Sequence, residues 1–172
     1  DLEYNNNRLA HVSGSLDLKT KELDYKGVFK EAPLSFLEEL LLGHATHITG
    51  KGFGEILLTG PLDSPKFNGA IDVRGGGFTV DYLKTHYKFD DKIYFKDDLI
   101  VANNITLTDT LFNSKGILSG HLKHKLFKKF ETDITLSLNN TLALNTKPED
   151  NNSYYGTAFA TGDITIKGPF SH

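Results

Sequence analysis

Apolar and polar residues alternate at every second position along most of this chain. The pattern is clearest in Phe78-Thr79-Val80-Asp81-Tyr82, Ile105-Thr106-Leu107-Thr108 and Ile134-Thr135-Leu136-Ser137-Leu138. It recurs in Leu16-Asp17-Leu18, Ile71-Asp72-Val73, Leu142-Ala143-Leu144 and Ile164-Thr165-Ile166. Successive side chains of a strand point to opposite faces, so each run predicts a strand with one apolar face and one face of Thr, Ser or Asp. Threonine is β-branched and suits a solvated sheet surface.

Short polar or glycine-rich breaks separate the runs, at Lys19-Thr20-Lys21, Asp63-Ser64-Pro65, Gly75-Gly76-Gly77, Asp90-Asp91-Lys92, Lys96-Asp97-Asp98, Asn113-Ser114-Lys115-Gly116 and Asn139-Asn140. Read as hairpin turns, they predict a meandering antiparallel sheet of about twelve strands. Asn145 to Ser153, with Pro148 inside, is the longest break and a loop candidate. One segment has a different period. In Pro33-Leu34-Ser35-Phe36-Leu37-Glu38-Glu39-Leu40-Leu41-Leu42-Gly43 the apolar positions follow helical spacing. Ser35 and Glu38 form a capping box, and Gly43 stands where a left-handed residue ends a helix. A helix near residues 34–42 has only about two turns, too short to be stable alone, so it must lie on apolar surface as a cover.

A phrase occurs twice. Gly54-Glu55-Ile56-Leu57-Leu58-Thr59-Gly60-Pro61 is matched by Gly162-Asp163-Ile164-Thr165-Ile166-Lys167-Gly168-Pro169. The first copy is followed by Pro65-Lys66-Phe67-Asn68-Gly69-Ala70-Ile71-Asp72-Val73, a further strand. This repetition predicts that residues 1–172 are a single β-rich segment of a longer repetitive protein.

Composition narrows the class. The 172 residues carry 38% hydrophobic and 24% charged side chains, so the chain is neither disordered by composition nor a membrane-spanning helix. A net charge of −3 argues against nucleic acid as a partner. With no cysteine, disulfides, thiolate metal sites and cysteine nucleophiles are excluded.

The search for chemistry ends in bland readings. His44 and His47 lie in a polar stretch, and His121 and His124 sit among lysines that oppose a cation, so the histidines read as surface residues and no metal site is expected. Gly75-Gly76-Gly77 lacks the Lys-Ser or Lys-Thr of a phosphate loop and reads as a turn or bulge. Asp90-Asp91, Asp97-Asp98 and Glu149-Asp150 read as solvated turn ends, and no Gly-x-Ser-x-Gly elbow is present. No enzyme and no cofactor is expected. The basic run His121 to Lys129 reads as a strand edge guarded by lysines, or as a contact for anionic headgroups. Tyr154-Tyr155 reads as packing, or as a sugar-stacking platform.

Several phrases resemble the C-terminal region of TamB-like translocation and assembly module proteins of the AsmA-like superfamily. They are the Gly-x-Ile-x-Leu-x-Gly-Pro phrase with Pro65-Lys66-Phe67-Asn68-Gly69, Ile93-Tyr94-Phe95, and Asn104-Ile105-Thr106-Leu107-Thr108-Asp109. They continue with Gly116-Ile117-Leu118-Ser119-Gly120-His121-Leu122, Phe127 to Phe130, and Tyr154-Tyr155-Gly156-Thr157-Ala158-Phe159-Ala160-Thr161-Gly162. The resemblance implies a mainly β fold, a curved antiparallel meander folded into an open, taco-like groove. It implies a periplasmic segment of a protein anchored in the inner membrane elsewhere, with an outer-membrane barrel assembly protein as partner. The cargo it implies is phospholipid acyl chains or outer-membrane protein strands, and no catalytic residue comes with it.

On that reading the groove lining is Ile71, Val73, Phe78, Val80, Tyr82, Ile93, Phe95, Ile105, Leu107, Ile134, Leu136, Leu138, Leu142, Leu144, Ile164 and Ile166, covered by Leu37, Leu40 and Leu41. Polar substitution at Ile105 or Leu136 is expected to abolish capture without unfolding the chain. The same alternation also fits a sealed β-scaffold or adhesive repeat without lipid, and the tyrosine pair fits a carbohydrate-binding β-module.

Overall fold

The computed structural model describes residues 2–4, 7–40, 45–126 and 128–170. Among them, ten strands form one antiparallel sheet whose spatial order is the chain order. They are β1 (Leu2–Tyr4), β2 (Asn7–Asp17), β3 (Glu22–Pro33), β4 (Ala45–Pro61), β5 (Lys66–Val80), β6 (Thr85–Asp97), β7 (Leu99–Asp109), β8 (Lys115–Lys125), β9 (Lys128–Thr146) and β10 (Gly156–Phe170). A meander of this kind needs only hairpins, which the breaks at 19–21, 63–65, 96–98 and 113–114 supply. The sheet is open, with β1 and β10 as its two edges.

Register carries the alternation across the whole sheet. Ala10, Phe29, Gly54, Ile71, Ile93, Ala102, Gly120, Ile134 and Ile166 are partners in one unbroken row, and therefore share one face. The neighbouring row on the opposite face runs Glu55, Ala70, Tyr94, Val101, His121, Asp133 and Lys167. Ion pairs such as Lys26–Glu55 at 2.7 Å and Lys167–Asp133 at 3.1 Å lie on that polar face.

The apolar face is concave. The Tyr87 hydroxyl on β6 donates to the Leu142 carbonyl on β9 at 2.6 Å, and the Asn145 N–H donates to the Leu83 carbonyl at 2.9 Å. In a flat sheet β6 and β9 would lie three strand spacings, about 14 Å, apart. The sheet is folded over at this end. The chain exposes 10882 Å², against about 8,400 Å² for a compact protein of 19.1 kDa.

Several predicted turns are bulges. Gly75-Gly76-Gly77 and Asp90-Asp91-Lys92 lie inside β5 and β6, where the register slips between Val73 and Gly76 and the Gly75 N–H donates to Asp90 Oδ1 at 2.5 Å. Asn139-Asn140 lies within β9, with Asn140 at φ +49°, so two predicted strands are one of 19 residues. A bulge and a turn use the same glycine, Asn and Asp, which explains the excess of predicted strands.

The predicted helix is a 3-10 helix over Leu34–Leu40 rather than an α-helix. It packs Leu34 and Leu37 on the concave face against Val73, Ile48 and Ile71. Its predicted capping box does not organise it in the expected way: Glu38 Oε1 accepts from the Ile48 N–H at 2.7 Å, tying the helix to β4. Gly43, the predicted terminator, lies outside the described residues.

Candidate functional site

The concave face has a sealed part and an accessible part. Val73, Ile105, Leu107 and Leu142 are 1–4% exposed; Ile105, Leu107 and Leu142 lie at the folded-over end, and Val73 lies under the 3-10 helix with Leu34 and Ile48. Phe78, Val80, Phe89, Ile93, Leu118 and Leu136 pack around Ile105, Leu107 and Tyr87. Ile71, Phe95, Ile134, Leu138 and Leu144 are half-buried. Ile164 and Ile166 on β10 are 45% and 47% exposed. Burial thus falls from the folded-over end and the helix-covered rows towards the β10 edge.

Three of the sequence-predicted lining residues require comment. Tyr82 does not face the trough: β5 ends at Val80, and Tyr82 sits in the following turn, 68% exposed, with its ring 5.3 Å from that of Tyr154. Alternation persisted one period past the strand end, so pattern alone misplaced it. Ile105 is core rather than accessible wall, because its row lies under the folded-over sheet. Leu142 owes its burial to the same fold, with its carbonyl taken by Tyr87 and its N–H donating to Ser114 Oγ at 2.7 Å. Of the predicted cover, Leu37 packs on the trough, whereas the Leu40 side chain and Leu41 lie outside the described residues.

Polar groups pin the folded-over end. Asp109 is fully buried. Burial alone would raise its carboxyl, but the Phe112 N–H, the Ser114 hydroxyl and N–H and the Leu111 N–H all donate to it and together hold it below the usual carboxylate range. It closes the β7–β8 turn. Burial, with Asp109 near, raises the Tyr87 phenol, which therefore stays a protonated donor.

His124 corrects another expectation. It is 4% exposed rather than on the surface, with its ring 5.6 Å from Phe67 and 6.2 Å from Phe130. Burial lowers its pKa, against the pull of Asp98. Nor is the His121–Lys129 run an edge: it forms the ends of the interior strands β8 and β9, and Phe127 at its tip lies outside the described residues. His47 is exposed, and His44 is outside the described residues. Among the described residues no group of three His, Cys, Asp or Glu is placed to hold a metal ion. Tyr154 and Tyr155 do not form a flat pair, since Tyr154 leans on Tyr82 while Tyr155 is 61% exposed.

Sequence reading missed the glycines as a device for the curve. Gly54 (φ +148°) and Gly69 (φ +151°) lie on the concave face, where a Cβ would stand 2.1 Å from the Ala70 and Glu55 carbonyl oxygens. Only glycine permits that approach, and it leaves room beside Ile71 and Ile56. The signal lay in the repeated phrase, whose glycines fall six residues apart in both copies.

Chemically, the site is a wall of aliphatic and aromatic groups with a polar back. The chain matches no family model, no curated protein and no solved structure.

Proposed function

We propose that this chain is a non-enzymatic segment of a translocation and assembly module protein, in which the concave trough holds phospholipid acyl chains between inner and outer membrane. The observation that carries the reading is the unbroken row from Phe29 to Ile166 on the concave face, half-buried from Phe29 to Ile134 and exposed at Ile166. An accessible apolar surface of this extent on a protein calls for an apolar occupant. Each methylene taken out of water contributes about 0.8 kcal/mol, so an acyl chain gains several kcal/mol from the wall without any polar contact. A smooth wall also suits passage, since one deep pocket would trap the cargo. In this reading the segment works in the periplasm, its parent is anchored in the inner membrane outside these residues, and an outer-membrane barrel assembly protein receives the cargo. Outer-membrane protein strands are a second cargo for the same wall.

A phospholipid carrying a photoactivatable acyl chain tests this. Cross-links are expected at Ile134, Leu136, Ile164 and Ile166. Labelling spread equally over the polar face, at Thr135 and Thr165, would sink the proposal.

A further inference from the structure

Hairpins of a meander alternate between the two ends of the sheet, so the β2–β3, β4–β5, β6–β7 and β8–β9 tips lie at one end. Three of them present a leucine to solvent: Leu18 is 82% exposed, Leu62 51% and Leu126 45%. Turns call for Gly, Asn, Asp or Ser, so none of these leucines serves its turn. Asp17 builds the first turn, accepting from the Lys19 and Thr20 N–H groups at 2.7 and 3.1 Å, and Leu18 is left in water. Leu126 stands at φ +53°, a conformation that suits Asn or Gly better than a bulky side chain. The curl of the sheet draws the tips together. The Leu62 N–H donates to the Lys21 carbonyl at 2.9 Å, which sets the first two side by side. The Phe67 and His124 rings are 5.6 Å apart, although β5 and β8 would lie about 14 Å apart in a flat sheet. That contact brings the β8–β9 tip towards the β4–β5 tip. The His124 N–H also donates to the Asp98 carbonyl at 2.9 Å, joining the β6–β7 tip to the same cluster.

Charge says what these tips meet. Residues 18–21, 62–65 and 125–129 carry five lysines and a single carboxylate, Asp63, in a chain of net charge −3. At the β6–β7 tip, Asp97 and Asp98 are paired with Lys66 and Lys123 at 3.6 and 3.8 Å. Lys19, Lys21, Lys125 and Lys129 are exposed, and among the described residues none of the four enters an ion pair. We propose that this end of the sheet docks on an anionic bilayer, with the three leucines in the headgroup boundary and the lysines beside them on lipid phosphates. Leucines on separate turns among lysines match a fluid interface, which each can enter independently, whereas a protein partner needs a pocket for each. The opposite end has no such charge: its exposed Leu111 and Phe112 sit in a turn, residues 110–113, without a lysine. The docking surface is made of hairpin tips and does not depend on whether the trough holds lipid.

The test is sedimentation of the full 172-residue chain with sucrose-loaded vesicles, made of phosphatidylcholine alone or with an equal part of phosphatidylglycerol. Binding to the anionic vesicles is expected to be roughly tenfold tighter and to weaken as salt is added. Lys19→Glu with Lys125→Glu should weaken it roughly tenfold. Leu18→Ser with Leu62→Ser and Leu126→Asn should do the same, roughly tenfold, with the circular dichroism of the parent retained. Leu111→Ser with Phe112→Ser at the opposite end, and Ile164→Asn in the trough, should leave binding unchanged. Equal binding to both vesicle types, no binding at all, tip variants that bind as the parent does, or a loss of binding in either control would each overturn the proposal.

Discussion

At Ile105, Leu136 and Ile164 the same side-chain class serves three different ends. Ile105 is 2% exposed, so Ile105→Ala should cost about 2–5 kcal/mol in urea denaturation, and Ile105→Asp should prevent folding. Ile164→Asp, at 45% exposure, should leave the denaturation midpoint almost unchanged, within about 0.5 kcal/mol. Period-two spacing assigns these residues to one face but carries no information on how far the sheet folds over them. That is why Ile105 was legible as apolar lining and illegible as core. His124 provides a pH test of the same kind. Burial holds its pKa below the ordinary value of 6.5, so the unfolded chain takes up the proton first. Stability is then full above that value and falls as the pH drops through it towards the folded pKa. Urea midpoints measured from pH 7.5 to 5 should show this loss, and His124→Leu should flatten it. An unchanged slope would mean that other groups set the acid response. Asp109 has the same sign at lower pH: its carboxylate stabilises the fold until acid protonates it, so Asp109→Asn should weaken the fold at neutral pH and reduce its acid dependence.

The strands were legible because hydrophobic periodicity survives wherever one face is buried, as in Ile71-Asp72-Val73 and Ile134-Thr135-Leu136. Their ends were not. Gly75-Gly76-Gly77 and Asn139-Asn140 satisfy turn chemistry and bulge chemistry equally, and only the partner strand decides between them. The 3-10 helix was legible as a cover, through Leu34 and Leu37, whereas its tie to β4 through Glu38 depends on a contact ten residues away. Glycine provides the sharpest test of an element. Gly54→Ala places a Cβ against the Ala70 carbonyl at a φ that L-residues avoid, so a loss of more than about 3 kcal/mol is expected. Gly162→Ala has a similar φ and no neighbour within 4 Å, and should cost only the backbone strain, about 1–3 kcal/mol. Equal losses would show that strand pairing does not crowd Gly54.

The whole molecule depends on the sheet folding over until β9 meets β6. Tyr87→Phe removes the hydroxyl that reaches the Leu142 carbonyl, leaves a buried acceptor unpaired, and should cost about 1–3 kcal/mol. It should also speed hydrogen exchange at Asn145, whose N–H bridges to Leu83. Neither contact follows from local pattern, because Tyr87 and Leu142 are 55 residues apart. The fold-over seals one end and leaves the β10 side open, which is the geometry that a held acyl chain requires. Native mass spectrometry of the gently purified chain, with Leu136→Asp alongside and circular dichroism to confirm that the variant is folded, tests that claim most directly. Adducts of phospholipid mass on the parent, absent from the folded variant, are predicted. A bare parent that also refuses added phospholipid would contradict it and leave a β-scaffold whose apolar face serves packing alone.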